Sequence, residues 1–413
     1  MDTDRHTSSR TSQLKTIVTL FIILRLTILF LYTPQGLFNA YTDYQHYYRT
    51  AQLSDQGYQP FVNMWYEYPP FFTYVSQGVY RLTRAILPAG GLDSFTYQFY
   101  ARLLGCVLLV FEAGVLILIH QIAARTWGLA KADWLGWVYS SLSLPLFFWN
   151  ASQNSVVAFF ALLAIYWLMK ERWARSAVAL GLGIATKFTP FFLLAPAIKF
   201  LLPNLRKSIG YVAITGLVVG LSFVPFFLLG GGPWIVASFV MLSKIASWAT
   251  PWALIDGNWS PGDAGPLSTR LQLDLATHLP GNPPVVPWIV TIAIFAIVYW
   301  LIFRRPIDRR DPKHVIWFST LTAMIFLLWS KGWSPQWATL IIPLWLLSFP
   351  NRRGLILTLL LTAIVFVEWP LSDALQSHIL LAGSIISRAL LFIGVAVMTF
   401  RQLWPSPTIR APG

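Results

Sequence analysis

Two acids stand in tyrosine-rich sequence just beyond the first hydrophobic stretch of the chain. Asp43 lies within residues 41–48, which hold four tyrosines, and Glu67 lies between Tyr66 and Tyr68. Burial beside aromatic rings raises the pKa of a carboxylate toward the range of an effective general base. Tyrosines also offer flat faces to a sugar ring and hydroxyls to its polar edge. We therefore predict proton abstraction from a sugar hydroxyl, with Asp43 as the base and Glu67 as a secondary acid candidate.

The first of these acids is predicted to lie at the start of a helix. Residues 44–54 are typical of a helix, so Asp43 and Tyr47 share one face at four-residue spacing. Asp is also a favoured N-cap, so a purely structural role is the alternative. Tyrosines equally suit anchoring at a membrane surface. The candidate sugar- or acceptor-binding residues here are Tyr44, Tyr47, Tyr66 and Tyr68.

Two lysines stand inside otherwise apolar sequence and are each followed closely by a proline. They are Lys187, before Pro190, and Lys331, before Pro335. A cation at a break in a membrane helix is a functional candidate and suits a phosphate group. The alternative is that each side chain extends to the lipid headgroups. Arg102 joins this candidate phosphate site if residues 69–97 fold back as a hairpin.

Side-chain amides provide the remaining polar candidates. Gln153 and Asn154 end a polar turn, residues 150–154, where they suit hydrogen bonds to hydroxyls or, equally, helix capping. Gln336 and Trp337 follow Pro335 and are candidates for sugar or acceptor contacts. The sequence has no glycine-rich nucleotide loop, zinc motif or Ser/His/Asp arrangement, so a membrane-borne activated sugar is the expected donor.

The whole composition is that of a membrane protein. Of 413 residues, 56% are hydrophobic and 11% charged, with apolar runs of the length needed to cross a bilayer. The net charge of +14 comes from short basic clusters between these runs, so it indicates helix orientation rather than nucleic-acid binding. The single cysteine, Cys106, excludes an intramolecular disulfide. These features predict an all-α integral membrane protein, with about 10–13 transmembrane helices including short or re-entrant ones.

One membrane domain, 16–400, is expected between cytoplasmic tails at 1–15 and 401–413. Arg25 in the first span and Glu112 in a later one are interpreted as a buried pair. Loops 34–68 and 230–284 are expected outside, the first carrying the catalytic acid and the second being either a lid or an ordered connector. The predicted spans are 16–33, 98–121, 132–149, 152–170, 208–229, 285–303, 314–330, 336–349, 354–369 and 379–400.

Sidedness depends on two further segments, 69–97 and 176–202. If each crosses once, the basic residues near 125–131 and 170–175 fall outside; if each forms a hairpin or re-entrant pair, every basic cluster lies inside. We favour hairpins, because Lys187 to Pro190 interrupts the middle of the second segment. The active site is then extracytoplasmic.

The order of these motifs resembles a known superfamily. The acid in the first outer loop, the Tyr68-Pro69-Pro70 motif, the Gln-Asn turn, the segment from Gly183 to Pro190 and the motif 334–337 are similar to the GT-C superfamily of polyprenol-phosphate-dependent glycosyltransferases. Within it, bacterial family 87 mannosyltransferases are the best match. The similarity extends over about residues 40–345.

The resemblance implies an extracytoplasmic hexosyltransferase that inverts the anomeric carbon. Its donor would be a polyprenyl-phosphate sugar, with mannose favoured, and its acceptor a glycolipid or glycan of the cell envelope. Asp43 would be the general base, while Lys187 and Lys331 would bind the departing phosphate. Many relatives have a second acid two residues further on, but Gln45 stands here, so metal-independent catalysis with no cofactor is expected. Alternatives are a transporter or flippase for a lipid-linked or small solute, and a non-catalytic scaffold.

Overall fold

A computed structural model describes residues 3–31, 42–142, 152–202, 204–260, 262 and 264–405. Within these ranges every regular element is a helix, two isolated β-bridges occur, and the remaining residues form turns and loops. The helices are α1 (Thr3–Leu31), α2 (Thr42–Gln52), α3 (Pro70–Ile86), α4 (Phe95–Trp127), α5 (Leu129–Ser141), α6 (Asn154–Met169), α7 (Trp173–Thr186), α8 (Leu194–Leu201), α9 (Leu205–Leu228), α10 (Gly232–Lys244), α11 (Pro251–Asp256), α12 (Trp288–Phe303), α13 (Pro312–Trp329), α14 (Ala338–Ser348), α15 (Arg352–Phe366) and α16 (His378–Leu403). Short 3-10 turns occupy Leu53–Gln56, Thr189–Leu193, Leu267–Leu271, Asp274–Thr277 and Pro335–Trp337.

Several of these helices have the length and apolar character of membrane spans. In the described part of the chain they are Gln13–Leu31, Phe95–Trp127, Leu205–Leu228, Arg352–Ala374 and His378–Leu403, with shorter apolar helices between them. Side-chain caps fix where they begin. Ser94 accepts a hydrogen bond from the backbone of Tyr97 at the start of α4, and Ser377 does the same for Leu380 at the start of α16. The all-helical membrane fold predicted from composition and apolar runs is confirmed.

The chain between α1 and α4 makes no net crossing of the helical bundle. Arg25 of α1 lies 3.5 Å from Glu112 of α4, forming the predicted buried pair, while Ile17 and Leu116 both pack against Gly136. Early residues of α1 therefore meet later residues of α4, so the two helices are antiparallel. The end of α1 and the start of α4 lie at the same end of the bundle.

A single continuous helix, α3, occupies most of the segment expected to fold as a hairpin. The prediction of a hairpin at 69–97 is therefore wrong, although the absence of a net crossing is as expected. Phe72, Ser76, Tyr80 and Thr83 are buried along one face of α3, whereas Ile86 is exposed. This spacing is helical throughout, and no proline follows the first residue, so nothing interrupts the helix.

The second expected hairpin is present. Helix α7 ends at Thr186, Lys187 is extended, and a 3-10 turn leads into α8. Helices α7 and α9 are parallel, because Ser176 bonds Tyr211 while Gly181 packs against Val218. The segment 187–204 must therefore return the chain to the end where α7 began.

The basic clusters gather at the opposite end of the bundle from Lys187. Lys313 lies 4.8 Å from the Trp127 ring, Trp404 donates to the Pro306 carbonyl at 2.6 Å, and Lys199 donates to the carbonyl of Phe303. These contacts join the connections α4–α5, α8–α9 and α12–α13 with the end of α16. One end of the molecule is thus basic, and the other carries Asp43 and Lys187.

Several element boundaries differ from those expected. The first helix begins at Thr3, within the segment 1–15 expected as a tail, whereas the candidate membrane span begins at Gln13. The last span continues past 400 to Leu403. The span expected at 336–349 is an 11-residue helix. Part of the first outer loop, 32–41, part of the span predicted at 132–149 and the start of the Gln-Asn turn, through residue 151, lie outside the described residues.

Candidate active site

Asp43 is held at the start of α2 by residues distant in the sequence. Its Oδ2 accepts a hydrogen bond from Gln336 Nε2 at 2.9 Å and one from Tyr47 at 3.4 Å. Among the described residues both bonds go to Oδ2, so Oδ1 is available for a substrate hydroxyl. Helix α2 includes Thr42, so Asp43 lies in its first turn and shares a face with Tyr47 as expected.

Surrounding protein raises the pKa of Asp43. Withdrawal of the carboxylate from water is the main cause, and the positive charges of Lys187 and His46 offset it only in part. A carboxylate with a raised pKa is a stronger base once ionised, which suits proton abstraction.

Tyr47 connects Asp43 to the Gln-Asn turn. Its hydroxyl also contacts Gln153 Oε1, and both residues are fully buried. Gln153 Nε2 is buried without a hydrogen-bond partner among the described residues. The Gln153 amide is therefore a buried polar group next to the acid and its helix, where it can hydrogen-bond a hydroxyl.

Lys187 lies on the same side of the bundle with most of its hydrogen-bonding capacity unused. Its ammonium donates to Asn154 Oδ1 at 3.4 Å and lies 5.6 Å from the Tyr68 ring and 5.2 Å from the Trp337 ring. Within the described structure this leaves two of its three N–H donors free. Burial lowers its pKa to about 8, although the charge of Asp43 opposes this. Lys187 is therefore a suitable ligand for an incoming anion.

Glu67 is paired with cations and does not suit a second base. Arg270 lies 2.5 Å from Oε2 and His46 lies 3.1 Å from Oε1. Burial opposes ionisation of Glu67, but these two partners outweigh it and lower its pKa to about 2. Glu67 instead links the first outer loop, through Arg270, to the 3-10 turn Leu267–Leu271.

Two predicted phosphate ligands are not brought to the site. Lys331 donates to the carbonyls of Leu242, Ser243 and Ile245, at 3.0, 3.2 and 2.7 Å, and so caps the C-terminus of α10. All three of its N–H donors are thereby used. The Arg102 guanidinium bonds the Gln98 carbonyl within its own helix, because α3 does not fold back to draw it inward.

The remaining aromatic candidates divide between the site and its walls. Trp337 faces Lys187, and its indole N–H is buried without a partner among the described residues. Tyr68 lies beside both Lys187 and Tyr47. Tyr66 stacks on His46, and Tyr44 is buried beside Tyr47. Trp337 and Tyr68 therefore line the site, whereas Tyr44 and Tyr66 pack behind it.

A small apolar pocket lies beside Tyr68. Its lining includes Phe188, Phe223 and Phe239, and the rings of Phe188 and Phe239 are in contact, with centroids 5.7 Å apart. Phe223 and Phe239 belong to α9 and α10, whose outer surfaces expose large hydrophobic side chains such as Phe227. Lipid covers such surfaces in a membrane, so the pocket is bordered by two helices that face lipid.

Sequence reasoning missed the importance of Arg270 and His46. Arg270 is the only lysine or arginine between residues 245 and 303, and this isolation was the available signal. His46 follows Asp43 by three residues and lies on the same turn of α2. The described residues contain no cluster of three His, Cys, Asp or Glu side chains that could hold a metal ion.

Fold and site thus define a polytopic membrane protein with a candidate acid–base centre and an anion-binding lysine at one end. The model of glycosyltransferase family 87 matches residues 65–330, more than half of the chain, and the chain belongs to this family. This confirms the assignment within the GT-C superfamily, and the protein is a membrane glycosyltransferase. The matched residues include Glu67 and Lys187 but neither Asp43 nor Gln336.

Two solved structures are similar to this chain at low identity. One is ArnT from Cupriavidus metallidurans bound to undecaprenyl phosphate: 16% identity, TM-score 0.43, covering 95% of this chain and 77% of that one. The other is the oligosaccharyltransferase AglB from Archaeoglobus fulgidus with an inhibitory peptide and a dolichol phosphate: 11% identity, TM-score 0.44, covering 94% and 55%. The chain therefore spans about half the length of AglB. Among curated proteins, none matches this sequence.

Proposed function

We propose that this glycosyltransferase moves a hexose, with mannose favoured by the family resemblance, from a polyprenyl-phosphate donor to a glycolipid or glycan. The observation that carries the proposal is the placement of Asp43 and Lys187 close enough to interact electrostatically in one site. A general base and a phosphate ligand are the two groups that this reaction requires of the protein.

In this mechanism Asp43 removes the proton from the acceptor hydroxyl through Oδ1. The acceptor oxygen then attacks the anomeric carbon from the face opposite the phosphate, and the bond from that carbon to the phosphate oxygen breaks. The departing lipid phosphate carries the negative charge, which Lys187 stabilises. Attack from the opposite face inverts the anomeric configuration. No metal ion takes part in the proposed mechanism.

Gln336, Tyr47 and Gln153 fix the base. Gln336 and Tyr47 donate to one carboxylate oxygen and so orient the other toward the acceptor. In the proposed mechanism the polyprenyl chain of the donor lies against the apolar outer surfaces of α9 and α10, with its phosphate directed toward Lys187.

We further propose that the site faces the extracytoplasmic side. The basic clusters gather at the end opposite Asp43, and cytoplasmic connections of membrane proteins carry an excess of lysine and arginine. Both tails, 1–15 and 401–413, then lie in the cytoplasm, and the loops 34–68 and 230–284 lie outside.

The test is transfer of labelled sugar from polyprenyl-phosphate-mannose or polyprenyl-phosphate-glucose to a native membrane lipid extract. Wild type should form product with inverted configuration, and Asp43→Asn should form none while still binding donor. Asp274→Asn, which changes an exposed acid at the same end of the molecule, is the control and should remain active. Turnover by Asp43→Asn near the wild-type rate would overturn the assignment of the base. Donor binding and lipid movement without transfer by wild type would favour a flippase instead.

A further inference from the structure

A second buried ion pair lies away from the reacting groups. Arg388 of α16 forms an ion pair with Glu368, in the kinked segment Val367–Leu371 that follows α15. Both residues are buried: Arg388 is 2% exposed and Glu368 is 4% exposed. Charges inside a membrane bundle are expensive to bury, so a pair kept there calls for a role beyond packing.

Arg388 uses its remaining faces to hold two other segments. Its second terminal nitrogen donates to the Ala249 carbonyl, and its Cζ lies 4.6 Å from the centre of the Trp333 ring. One side chain thus fastens α16, the kink after α15, the connection before α11 and the segment that follows α13. Among residue types only arginine combines a planar fork with a face for stacking.

The segment that Arg388 holds continues directly into the site. Trp333 lies 6.0 Å from Trp337, and its backbone N–H bonds the carbonyl of Trp248 at 3.2 Å. Gly332 packs so closely on the Trp248 ring that a Cβ there would lie 2.1 Å from it. Three residues beyond Trp333, Gln336 donates to Asp43.

We propose that Arg388, oriented by Glu368, is a positioning residue that sets the distance between the motif 334–337 and Asp43. The proposal rests on the proposed function, since it assumes that Asp43 is the base. Arg388 touches no reacting atom. It acts through Trp333 on Gln336, whose hydrogen bond keeps the Asp43 carboxylate oriented and favours its ionised form.

The test compares Arg388→Lys with Arg25→Lys, its matched control. Arg25 and Glu112 form a buried pair of the same kind, each 0% exposed, and none of the contacts of that pair reaches the motif 334–337. Both substitutions should lower the melting temperature. Only Arg388→Lys should lower kcat, by about 100-fold for a displacement near 1 Å, with little change in donor KM. The acid limb of its pH profile should also move to higher pH.

A double variant separates positioning from general destabilisation. If Arg388 acts through Gln336, then adding Arg388→Lys to Gln336→Ala should lower kcat no further than Gln336→Ala alone. Additive losses, or equal losses of kcat in Arg388→Lys and Arg25→Lys, would overturn the inference. Asp43→Asn is measured beside them: if it is active, the proposed base is wrong, whereas an inactive Asp43→Asn with normal Arg388→Lys rejects only the positioning role.

Discussion

Asp43 and Glu67 are both surrounded by tyrosines, but their neighbours shift the two pKa values in opposite directions. Withdrawal from water raises the pKa of Asp43, and Arg270 with His46 lowers that of Glu67 to about 2. Local sequence predicts the shared face of Asp43 and Tyr47, because helical spacing alone determines it. Local sequence could not predict the lowered pKa of Glu67, because its main partner, Arg270, lies about 200 residues away in the chain.

The two charged groups of the site predict a bell-shaped pH dependence of kcat/KM. Asp43 must be ionised, so activity should fall as the pH drops through a pKa above the ordinary aspartate value. Lys187 must be protonated to bind phosphate, so activity should also fall as the pH rises through about 8. Initial rates across this range measure both limbs. Lys187→Arg should move the basic limb upward, and an unchanged limb would assign it to another group.

The two lysines that look alike in sequence should respond differently to truncation. Lys187→Ala should lower kcat/KM for the donor by roughly 10- to 100-fold, because a charge-assisted hydrogen bond to phosphate is lost. Lys331→Ala should instead lower thermal stability, since it removes the cap on α10. Donor titrations and melting curves on both variants distinguish these effects. If Lys331→Ala binds donor more weakly without losing stability, Lys331 is a phosphate ligand after all.

At the scale of elements, the outer loop 230–284 contacts the first outer loop around Arg270. The Trp65 N–H bonds the Arg270 carbonyl at 3.1 Å, and its indole donates to the Gln272 carbonyl at 3.0 Å. With the ion pair to Glu67, these contacts hold the 3-10 turns between α11 and α12 against the segment between α2 and α3. The part of 230–284 around Arg270 is thus an ordered covering of the site.

Removing the ion pair between Arg270 and Glu67 should destabilise the outer region measurably. Arg270→Met leaves the partly buried Glu67 with His46 as its remaining ionic partner, so we expect a loss of about 2 kcal/mol in the free energy of unfolding. The double variant with Glu67→Gln should recover part of that loss, because the carboxylate that lost its guanidinium partner is then absent. Thermal or denaturant unfolding in detergent measures both. Equal stability of the single and double variants would show that the pair contributes little.

Helix breaks were predictable where the sequence interrupts its own pattern. Pro190 after Lys187 indicated the hairpin of α7 and α8, and the structure has it. Residues 70–86 carry no such interruption, and their buried face repeats at helical spacing. The hairpin was expected there because the basic clusters required an even number of membrane crossings between α1 and α4. One helix that makes no net crossing meets the same requirement.

Across the whole molecule, reactive groups and basic clusters occupy opposite ends. This separation predicts the orientation, and the single cysteine makes it testable. In a Cys106→Ser background, a membrane-impermeant maleimide should label Gln56→Cys in intact cells, whereas Arg309→Cys should react only after permeabilisation. Both positions are exposed in the structure. The reverse pattern would place the site in the cytoplasm.

Composition and apolar runs predicted the membrane class, and the order of the motifs indicated the family. The contacts that assemble the site could not be predicted in this way. Gln336 to Asp43 and Arg388 to Trp333 join helices whose packing depends on side-chain shapes along the whole chain. Arg388 carried one signal in the sequence, as a charge inside an apolar span facing no local partner.

The hydrogen bond between Asp43 and Gln336 joins residues 293 positions apart. At ordinary rates of translation, roughly 15 to 60 s pass between synthesis of the two. During that interval the nascent chain carries Asp43 without the amide that orients it. Ribosome-bound chains that stop before residue 336 should therefore transfer sugar no faster than Gln336→Ala.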